Sequence, residues 1–395
     1  MSHMTKRNPH FSALKPTYLF PEINQRKLQY LAQHPTAKLI SLGIGDTTEP
    51  IPSTITHGLV DGAARLGTKE GYTGYGQEQG QSLLREKIAE NIYHNRVSPQ
   101  EVFISDGAKC DIGRLQALFG GDVSIAVQDP AYPVYVDGSL MHGVKQIHYM
   151  PCTPENHFFP TLKTTPPVNL IYFCSPNNPT GAVATHDQLK KLVQFAKIHQ
   201  SIIIFDSAYA HYIQDPTLPR SIYEIEGAHE VAIEMGSFSK IAGFTGVRLG
   251  WTVVPEKLLF EDGTPVIRDW MRLFTTIFNG ASNIAQQGGI AALSTQGFDE
   301  MQQLTQFYLE NARLIVEGLK HFPLEIYGGT NAPYVWIRFP GQKSWDVFQM
   351  LLENVQIVTT PGSGFGPAGE GFVRLSAFGH RENVLEAIQR LQKLF

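Results

Sequence analysis

The chain has 395 residues, of which 42% are apolar and 17% charged, and its formal net charge is -4. This composition excludes a disordered chain, and the lack of a basic excess argues against a nucleic-acid-binding protein. There is no apolar run of the roughly 18 residues that a membrane span needs, no apolar signal core at the start and no paired cysteine motif, so a cytoplasmic protein without a metal site is expected.

Through the first two thirds of the chain, short apolar runs alternate with helical patterns. Helices are predicted at Gln81–His94 and Thr185–His199. The predicted strands are Glu101–Ile104, Val123–Val127, Val168–Phe173, Ser201–Phe205, Val231–Met235 and Leu249–Val254. Most of these runs are apolar throughout, which is typical of strands in a mostly parallel sheet sandwiched by helices. Ligands bind such sheets at the carboxyl ends of the strands.

The last third of the chain has the pattern of a smaller α+β unit. A long helix is predicted at Phe298–His321, followed by shorter helices at Ser344–Glu353 and Arg381–Leu394. Strands are predicted at Tyr334–Phe339, Val355–Thr359 and Phe372–Ser376. We therefore predict an α/β protein with a large domain over residues 46–283 and a small domain made of residues 1–45 and 284–395.

The segment Ser237–Lys240 follows a predicted buried strand, and Arg248 comes eight residues after the lysine. A lysine in a desolvated pocket loses its charge and becomes a nucleophile. The hydroxyls of Ser237 and Ser239, together with the arginine, are groups that bind phosphate well. A surface loop with an ordinary lysine is the alternative that this segment alone leaves open.

Polar side chains also follow two other predicted strands. Asp206 ends the run Ile202–Phe205, and a buried carboxylate there needs a cationic partner such as a protonated pyridine nitrogen. Tyr209, three residues later, could bond a phenolate oxygen on the same ring, and Asn178 points an amide into the same crevice from the turn after Val168–Phe173. A helix-capping aspartate, a packed tyrosine and a plain turn are the alternatives.

Three further positions complete the candidate set. Ala108 and Lys109 open a predicted helix, where backbone amides bind phosphate. Tyr132 offers a flat ring that could stack on a planar cofactor, although packing alone would also explain it. Arg374 lies in the middle of the predicted strand Phe372–Ser376 and is either an exposed edge residue or a carboxylate clamp.

Taken together, this ordered set resembles the fold-type I pyridoxal-phosphate enzymes of the class I/II aminotransferase family, over nearly the whole chain. The resemblance implies that Lys240 holds pyridoxal 5′-phosphate and moves a proton during the reaction, with Asp206 at the pyridine nitrogen. It implies that Tyr209 and Asn178 bond the ring oxygen and that Tyr132 stacks on the ring. It implies that Arg374 binds the α-carboxylate of the substrate. The residues implied at the cofactor phosphate are Ala108, Lys109, Ser237, Ser239 and Arg248.

Several stretches resemble more closely the branch of this family that acts on LL-2,6-diaminopimelate. They are Ser41–Pro52, Gly71–Gly80, Ser105–Gln116, Ser237–Trp251, Phe278–Asn283 and Thr360–Asn383. The resemblance implies further cofactor or substrate contacts by Tyr18, Gly45, Lys109, Tyr132, Asn178 and Asn279. Glu78 is the candidate for binding the distal ammonium group, and a carboxylate at a helix start is the alternative reading. Tyr75 matches a family tyrosine that reaches the phosphate from the neighbouring subunit, so a homodimer that shares Tyr75, Glu78 and Asn279 between subunits is expected.

The reaction so implied moves an amino group between LL-2,6-diaminopimelate and 2-oxoglutarate, giving tetrahydrodipicolinate and glutamate, and supplies precursors of lysine and peptidoglycan. An aminotransferase for another dicarboxylic or aromatic amino acid stays open, because only Glu78 and the regions of Tyr18 and Asn279 distinguish the substrates. A β-lyase or a cofactor-binding regulatory protein of the same fold is a third hypothesis.

Overall fold

The computed structural model describes residues 4–394, in which three β-sheets are covered by twelve helices. The strands are β1 (Ile40–Ser41), β2 (Val102–Ser105), β3 (Ser124–Asp129), β4 (Gln146–Pro151), β5 (Leu170–Cys174), β6 (Ile202–Asp206), β7 (Ala232–Ser237), β8 (Gly250–Val253), β9 (Glu325–Gly328), β10 (Tyr334–Arg338), β11 (Ile357–Val358), β12 (Thr360–Pro361) and β13 (Phe372–Ser376). The helices are α1 (Leu19–Gln33), α2 (Ser53–Arg65), α3 (Ser82–Asn91), α4 (Ala108–Phe119), α5 (Val134–Met141), α6 (His186–His199), α7 (Phe238–Ile241), α8 (Val266–Ile277), α9 (Asn283–Ala292), α10 (Thr295–Leu319), α11 (Ser344–Val355) and α12 (Arg381–Gln392). None of these helices in the described chain is both long and apolar enough to cross a membrane.

The largest sheet has seven strands in the order β2-β8-β7-β6-β5-β3-β4. The five strands from β7 to β4 pair in parallel, whereas β8 is antiparallel to both of its neighbours. The predicted mostly parallel sheet is therefore confirmed. The sequence pattern missed β4, because this edge strand mixes exposed, half-buried and buried residues instead of forming an apolar run.

Both faces of this sheet are buried, as the apolar runs predict. Along β6, Ile203 and Phe205 pack into one hydrophobic cluster and Ile204 into another, on the opposite face. Helix α6 covers the first face with its Leu189, Leu192, Val193 and Ala196 side. It begins at a capping box: the Thr185 side chain accepts a hydrogen bond from the backbone N–H of Gln188, and the Gln188 side chain accepts one from the backbone N–H of Thr185. The cap therefore lies just before His186.

A smaller antiparallel sheet, in the order β12-β13-β10-β9, forms the second unit, and β1 pairs in parallel with β11 beside it. The strand predicted at Val355–Thr359 is confirmed only in its middle, because α11 extends to Val355 and Ile357–Val358 alone forms β11, which pairs with β1. The next strand, β12 at Thr360–Pro361, was not predicted; it pairs with β13.

Segments assigned to the predicted small domain, near its two boundaries, contact elements of the predicted large domain. Helix α9, which begins at residue 283, packs against α2 beside the large sheet. Near the start of the chain, the Asn8 side chain donates a hydrogen bond to the backbone oxygen of Met141 at the end of α5, 3.3 Å away. The boundaries at 45/46 and 283/284 stay predictions, and residues 1–3 and 395 of the small domain lie outside the described chain.

Candidate active site

A cavity of about 380 Å³ lies at the carboxyl ends of β5, β6 and β7 and is also lined by residues of β10 and β13. Twelve of the predicted site residues line it: Gly45, Ala108, Lys109, Tyr132, Asn178, Asp206, Tyr209, Ser237, Ser239, Lys240, Arg248 and Arg374. A larger cavity, of about 540 Å³, lies near Glu234 but shares only Ser237 with this set. The chemistry-bearing residues therefore converge on the smaller cavity.

Lys240 lies on the short helix α7, directly after the end of β7. Burial lowers the pKa of its amine to about 8; Asp46 opposes this decrease, and the Arg374 and Arg248 cations add to it. The Nζ atom donates a hydrogen bond to the backbone oxygen of Gly45. An ordinary surface lysine is thus excluded, and the uncharged amine is far more populated near neutral pH than it is in a lysine of ordinary pKa.

Asp206 is the last residue of β6 and is buried at the base of the cavity. Its Oδ1 atom accepts a hydrogen bond from the backbone N–H of Ala208 at 3.0 Å, and its Oδ2 atom accepts one from the hydroxyl of Tyr135 at 2.8 Å. Burial raises the pKa of this carboxyl, while these two donors act in the opposite direction. The bond from Ala208 is the kind that a helix-capping aspartate makes, which was the alternative role for Asp206. The carboxylate also faces the cavity, however, where a cation would stabilise it.

Backbone and side-chain donors suited to an anion converge at the start of α4. Gly107 precedes this helix with φ of 121°, and a Cβ atom at that position would lie 2.4 Å from Nη2 of Arg248. Arg248 itself has a left-handed backbone, with φ of 70°, and its Nη1 atom donates to Oγ of Ser239 at 3.3 Å. The first N–H groups of a helix, a guanidinium and two serine hydroxyls are donors whose chemistry suits a phosphate group.

Arg374 is only 1% exposed and lies in the interior of the small sheet, between β12 and β10. An exposed edge position is therefore wrong for this residue. Its Nη1 atom donates to Oδ1 of Asn178 at 2.6 Å and its Nη2 atom to the backbone oxygen of Gly43 at 2.5 Å. Its Nε atom is buried without a hydrogen-bond partner in the described chain. A buried cation with an unused donor at the wall of a cavity is suited to binding a carboxylate.

Aromatic rings form the remaining wall. Tyr132 meets Tyr135 edge to face, with ring centroids 6.1 Å apart. The ammonium of Lys109 lies 5.4 Å from the centroid of the Tyr18 ring and 5.8 Å from that of Tyr132. Tyr18 itself lines an adjoining cavity that shares Tyr132, and its buried hydroxyl has no hydrogen-bond partner in the described chain. Tyr18 is thus close to the main cavity but not on its surface.

Three predicted residues lie away from the cavity in a single chain. Tyr75 is 85% exposed, and Glu78 and Asn279 are also exposed. The segments that carry Glu78 and Asn279 are neighbours, since a Cβ atom on Gly280 would lie 2.9 Å from the backbone oxygen of Gln77. The structure therefore does not bring this group to the cavity of the chain that carries it.

Three residues that line the cavity or affect its electrostatics were not predicted from the sequence. Tyr135 bonds Asp206, Tyr334 places its hydroxyl 2.7 Å from that of Tyr209, and Asp46 acts on the Lys240 amine. Tyr135 follows Tyr132 by three residues at a helix start, which is a signal that could have indicated it. Nothing in the local sequence near Tyr334 points to Tyr209, because 125 residues separate the two.

These groups fit pyridoxal 5′-phosphate on chemical grounds. The cavity has an anion site at one end, a buried carboxylate for a protonated ring nitrogen, hydroxyl and amide donors beside it, and a largely desolvated amine that can react with an aldehyde. No cluster of metal-ligating side chains occurs in the described part of the chain. The chemistry of the site thus matches that cofactor.

Known proteins provide an independent comparison. The sequence model for aminotransferases of class I and II matches residues 37–391. The chain is 54% identical over 400 residues to the LL-diaminopimelate aminotransferase of Protochlamydia amoebophila, covering 98% of this chain and 97% of that protein. It is 56% identical over 401 residues to the chloroplastic LL-diaminopimelate aminotransferase of Arabidopsis thaliana, covering 98% and 87%.

A solved structure agrees with these sequence relatives. The L,L-diaminopimelate aminotransferase of Chlamydomonas reinhardtii superimposes with a TM-score of 0.96 and is 54% identical in sequence. The match covers 99% of each chain. The similarity therefore extends over the seven-stranded sheet, the small antiparallel sheet and the cavity between them.

Proposed function

We propose that this chain, which belongs to the class I and II aminotransferases, transfers an amino group between LL-2,6-diaminopimelate and 2-oxoglutarate. The products are tetrahydrodipicolinate and glutamate, and run in reverse the reaction supplies precursors of lysine and peptidoglycan. The observation that carries this proposal is the near-full-length identity of 54–56% to LL-diaminopimelate aminotransferases. The cavity of this chain also has a reactive lysine, Lys240, and a buried arginine suited to a carboxylate, Arg374.

The cofactor is pyridoxal 5′-phosphate, which when bound supplies an electron sink that stabilises negative charge at the substrate α-carbon. Lys240 would hold it, with Asp206 at the ring nitrogen and Tyr209 and Asn178 at the ring oxygen. Its phosphate would be held by Ala108, Lys109, Ser237, Ser239 and Arg248, with Tyr75 and Asn279 of the second subunit nearby. The hydroxyl of Tyr135 holds the Asp206 carboxylate in place and opposes the rise in its pKa that burial causes.

Lys240 is the base that we assign to the proton transfer. Because burial lowers its pKa to about 8, its Nζ atom can be neutral near physiological pH and accept the proton from the substrate α-carbon. The bond from Nζ to the Gly45 oxygen orients the amine within the cavity. The same nitrogen can then return the proton, which is what an amino-group transfer in two half-reactions requires.

Arg374 would bind the α-carboxylate of both substrates in turn. Asn178 and Gly43 fix two of its nitrogens, so the guanidinium is held before the substrate arrives. A preorganised cation loses little conformational freedom on binding, and this lowers the cost of holding each substrate in the reactive orientation.

Glu78 would bind the distal ammonium group of diaminopimelate, a group that glutamate lacks. We expect Glu78→Gln to lower kcat/KM for LL-diaminopimelate by about 10- to 100-fold, because an ion pair becomes a hydrogen bond from the ammonium to a neutral amide. The kcat/KM for glutamate should stay within about threefold of the wild-type value. Equal losses for the two substrates, measured in the two half-reactions, would contradict this specificity.

We propose a homodimer in which Tyr75, Glu78 and Asn279 complete the cavity of the second subunit. Support comes from their exposure in one chain and from the absence of all three from its cavity. The Glu78→Gln variant also tests this arrangement when it is co-expressed with Lys240→Ala. A mixed dimer has one site with both native residues, so diaminopimelate activity should reappear; no recovery would contradict sharing between subunits.

We also propose that the protein works in the cytoplasm. Its three cysteines, Cys110, Cys152 and Cys174, are free thiols, and two of them are buried. Free thiols are typical of a reducing compartment. Fractionation of the source cells, followed by immunoblotting, tests this location directly.

A further inference from the structure

Tyr334 is a buried tyrosine whose hydroxyl lies inside the cavity without a role in the reaction described above. It begins β10 in the small sheet and is 1% exposed. Its hydroxyl oxygen lies 2.7 Å from the hydroxyl oxygen of Tyr209, which belongs to the loop after β6 in the large sheet. This is a direct hydrogen bond between the two units of the molecule, made beside Lys240.

The position of the Tyr334 ring is fixed from several sides. The guanidinium of Arg374 lies 4.3 Å from the ring centroid, and the ring of Phe378 meets it edge to face at 6.0 Å. A Cβ atom at Gly45 would lie 2.5 Å from the Tyr334 hydroxyl oxygen, so the glycine leaves room for this hydroxyl. The phenol is therefore held against Tyr209 and has little freedom to turn away.

Counting protons sets the direction of the bond between the two phenols. Each hydroxyl carries one proton, so each can donate one hydrogen bond. If Tyr209 donates its proton to the cofactor's ring oxygen, the bond between the phenols has to be donated by Tyr334. A hydroxyl that accepts a hydrogen bond becomes a stronger donor itself, because consecutive hydrogen bonds polarise one another.

We propose that Tyr334 is a positioning residue for Tyr209: it donates to the Tyr209 hydroxyl and thereby directs and strengthens the donation of Tyr209 to the cofactor's ring oxygen. This inference rests on the proposed function, because it requires bound pyridoxal 5′-phosphate. It assigns to the small sheet a part in the electronic tuning of the cofactor, in addition to the binding of the substrate carboxylate.

The test is a pH titration of the visible absorption band of the bound cofactor in the purified holoenzyme. Donors to the ring oxygen stabilise its ionised form, so losing one moves the midpoint of the titration upward. We expect Tyr334→Phe to raise the midpoint by about half a pH unit, and Tyr209→Phe to raise it further. In the Tyr209→Phe background, Tyr334→Phe should add no further shift, because it acts only through the Tyr209 hydroxyl.

Tyr93→Phe is the matched control, since it removes another buried hydroxyl, one that donates to Glu234 at 3.1 Å outside this cavity. It should lower stability and leave the midpoint unchanged. An unchanged midpoint in Tyr334→Phe, or an equal shift with and without the Tyr209 hydroxyl, would overturn the role of Tyr334 alone. A wild-type protein with no visible band would instead overturn the proposed function, and this inference with it.

Discussion

At the scale of single residues, the active-site chemistry depends on how far each charged group is removed from water. Asp206 is buried and Lys240 is partly buried, and loss of hydration shifts the pKa of each toward its neutral form. Asp46 and Tyr135 act against these shifts, and sequence reasoning found neither. Reactive residues could be predicted because their types and order are distinctive, whereas the groups that tune them depend on distances that the sequence does not give.

The titration of Lys240 gives the first prediction. In the apoprotein, acylation of Lys240 by a small amine-reactive reagent should rise with pH and reach half its maximal rate near pH 8, because only the neutral amine reacts. In Asp46→Asn the midpoint should be lower, since the carboxylate at this position stabilises the ammonium. Mass spectrometry of the digested protein measures both. A rate that still rises steeply above pH 10 would show that Lys240 is not desolvated.

At the scale of elements, the site depends on where strands and helices end. Asn178, Asp206 and Ser237 each lie at or just beyond the end of a parallel strand, which is why one edge of the sheet collects them. Apolar runs predicted these strands well. The same signal missed the half-exposed β4 and the two-residue β12, because neither is an apolar run and a run of residues does not reveal which strand it pairs with.

The start of α4 gives a prediction at this scale. In Gly107→Ala, the Cβ atom would collide with the Arg248 guanidinium in a backbone conformation that alanine rarely adopts. We expect an affinity for pyridoxal 5′-phosphate at least about tenfold weaker and a loss of about 1–3 kcal/mol in the free energy of unfolding. Equilibrium dialysis and urea unfolding measure these quantities.

Gly113→Ala, in the same helix, is the control for that substitution. A Cβ at this position would meet no atom within 4 Å in the described chain beyond its chain neighbours and its own helix backbone, so the variant should bind the cofactor normally and be stabilised by roughly 0.5–1 kcal/mol. Equal behaviour of the two variants would refute the proposed role of Gly107 at the phosphate.

At the scale of the whole molecule, the cavity exists because two sheets meet. Asp129 at the end of β3 accepts the backbone N–H of Ala368 on both carboxylate oxygens, at 3.0 and 3.1 Å, and Ala131 donates to the oxygen of Phe365 at 2.9 Å. Sequence alone predicted two units of the correct classes. It could not predict their contact surface, because those contacts join residues more than 200 positions apart.

The junction at Asp129 should make stability depend on pH. Burial raises the pKa of this carboxyl from 3.8 to about 6, so between pH 4 and 6 the folded protein keeps a proton that the unfolded chain has released. The contribution of Asp129 to the free energy of unfolding therefore decreases as pH rises through this window. Asn cannot titrate, so the stability of Asp129→Asn relative to wild type should increase from pH 4 to pH 6 in urea unfolding experiments.

Asp122→Asn, just before the other end of β3, controls for the loss of one negative charge. A relative stability of Asp129→Asn that stays constant or decreases over the same range would rule out a protonated carboxyl at the junction.

The central claim is that this aminotransferase selects LL-2,6-diaminopimelate, and one spectroscopic experiment tests it most directly. The visible band of the purified holoenzyme is followed while LL-diaminopimelate, meso-diaminopimelate, glutamate, aspartate or lysine is added singly. We predict that LL-diaminopimelate and glutamate bleach the band and that 2-oxoglutarate restores it. Bleaching by aspartate or an aromatic donor but not by LL-diaminopimelate would contradict the claim.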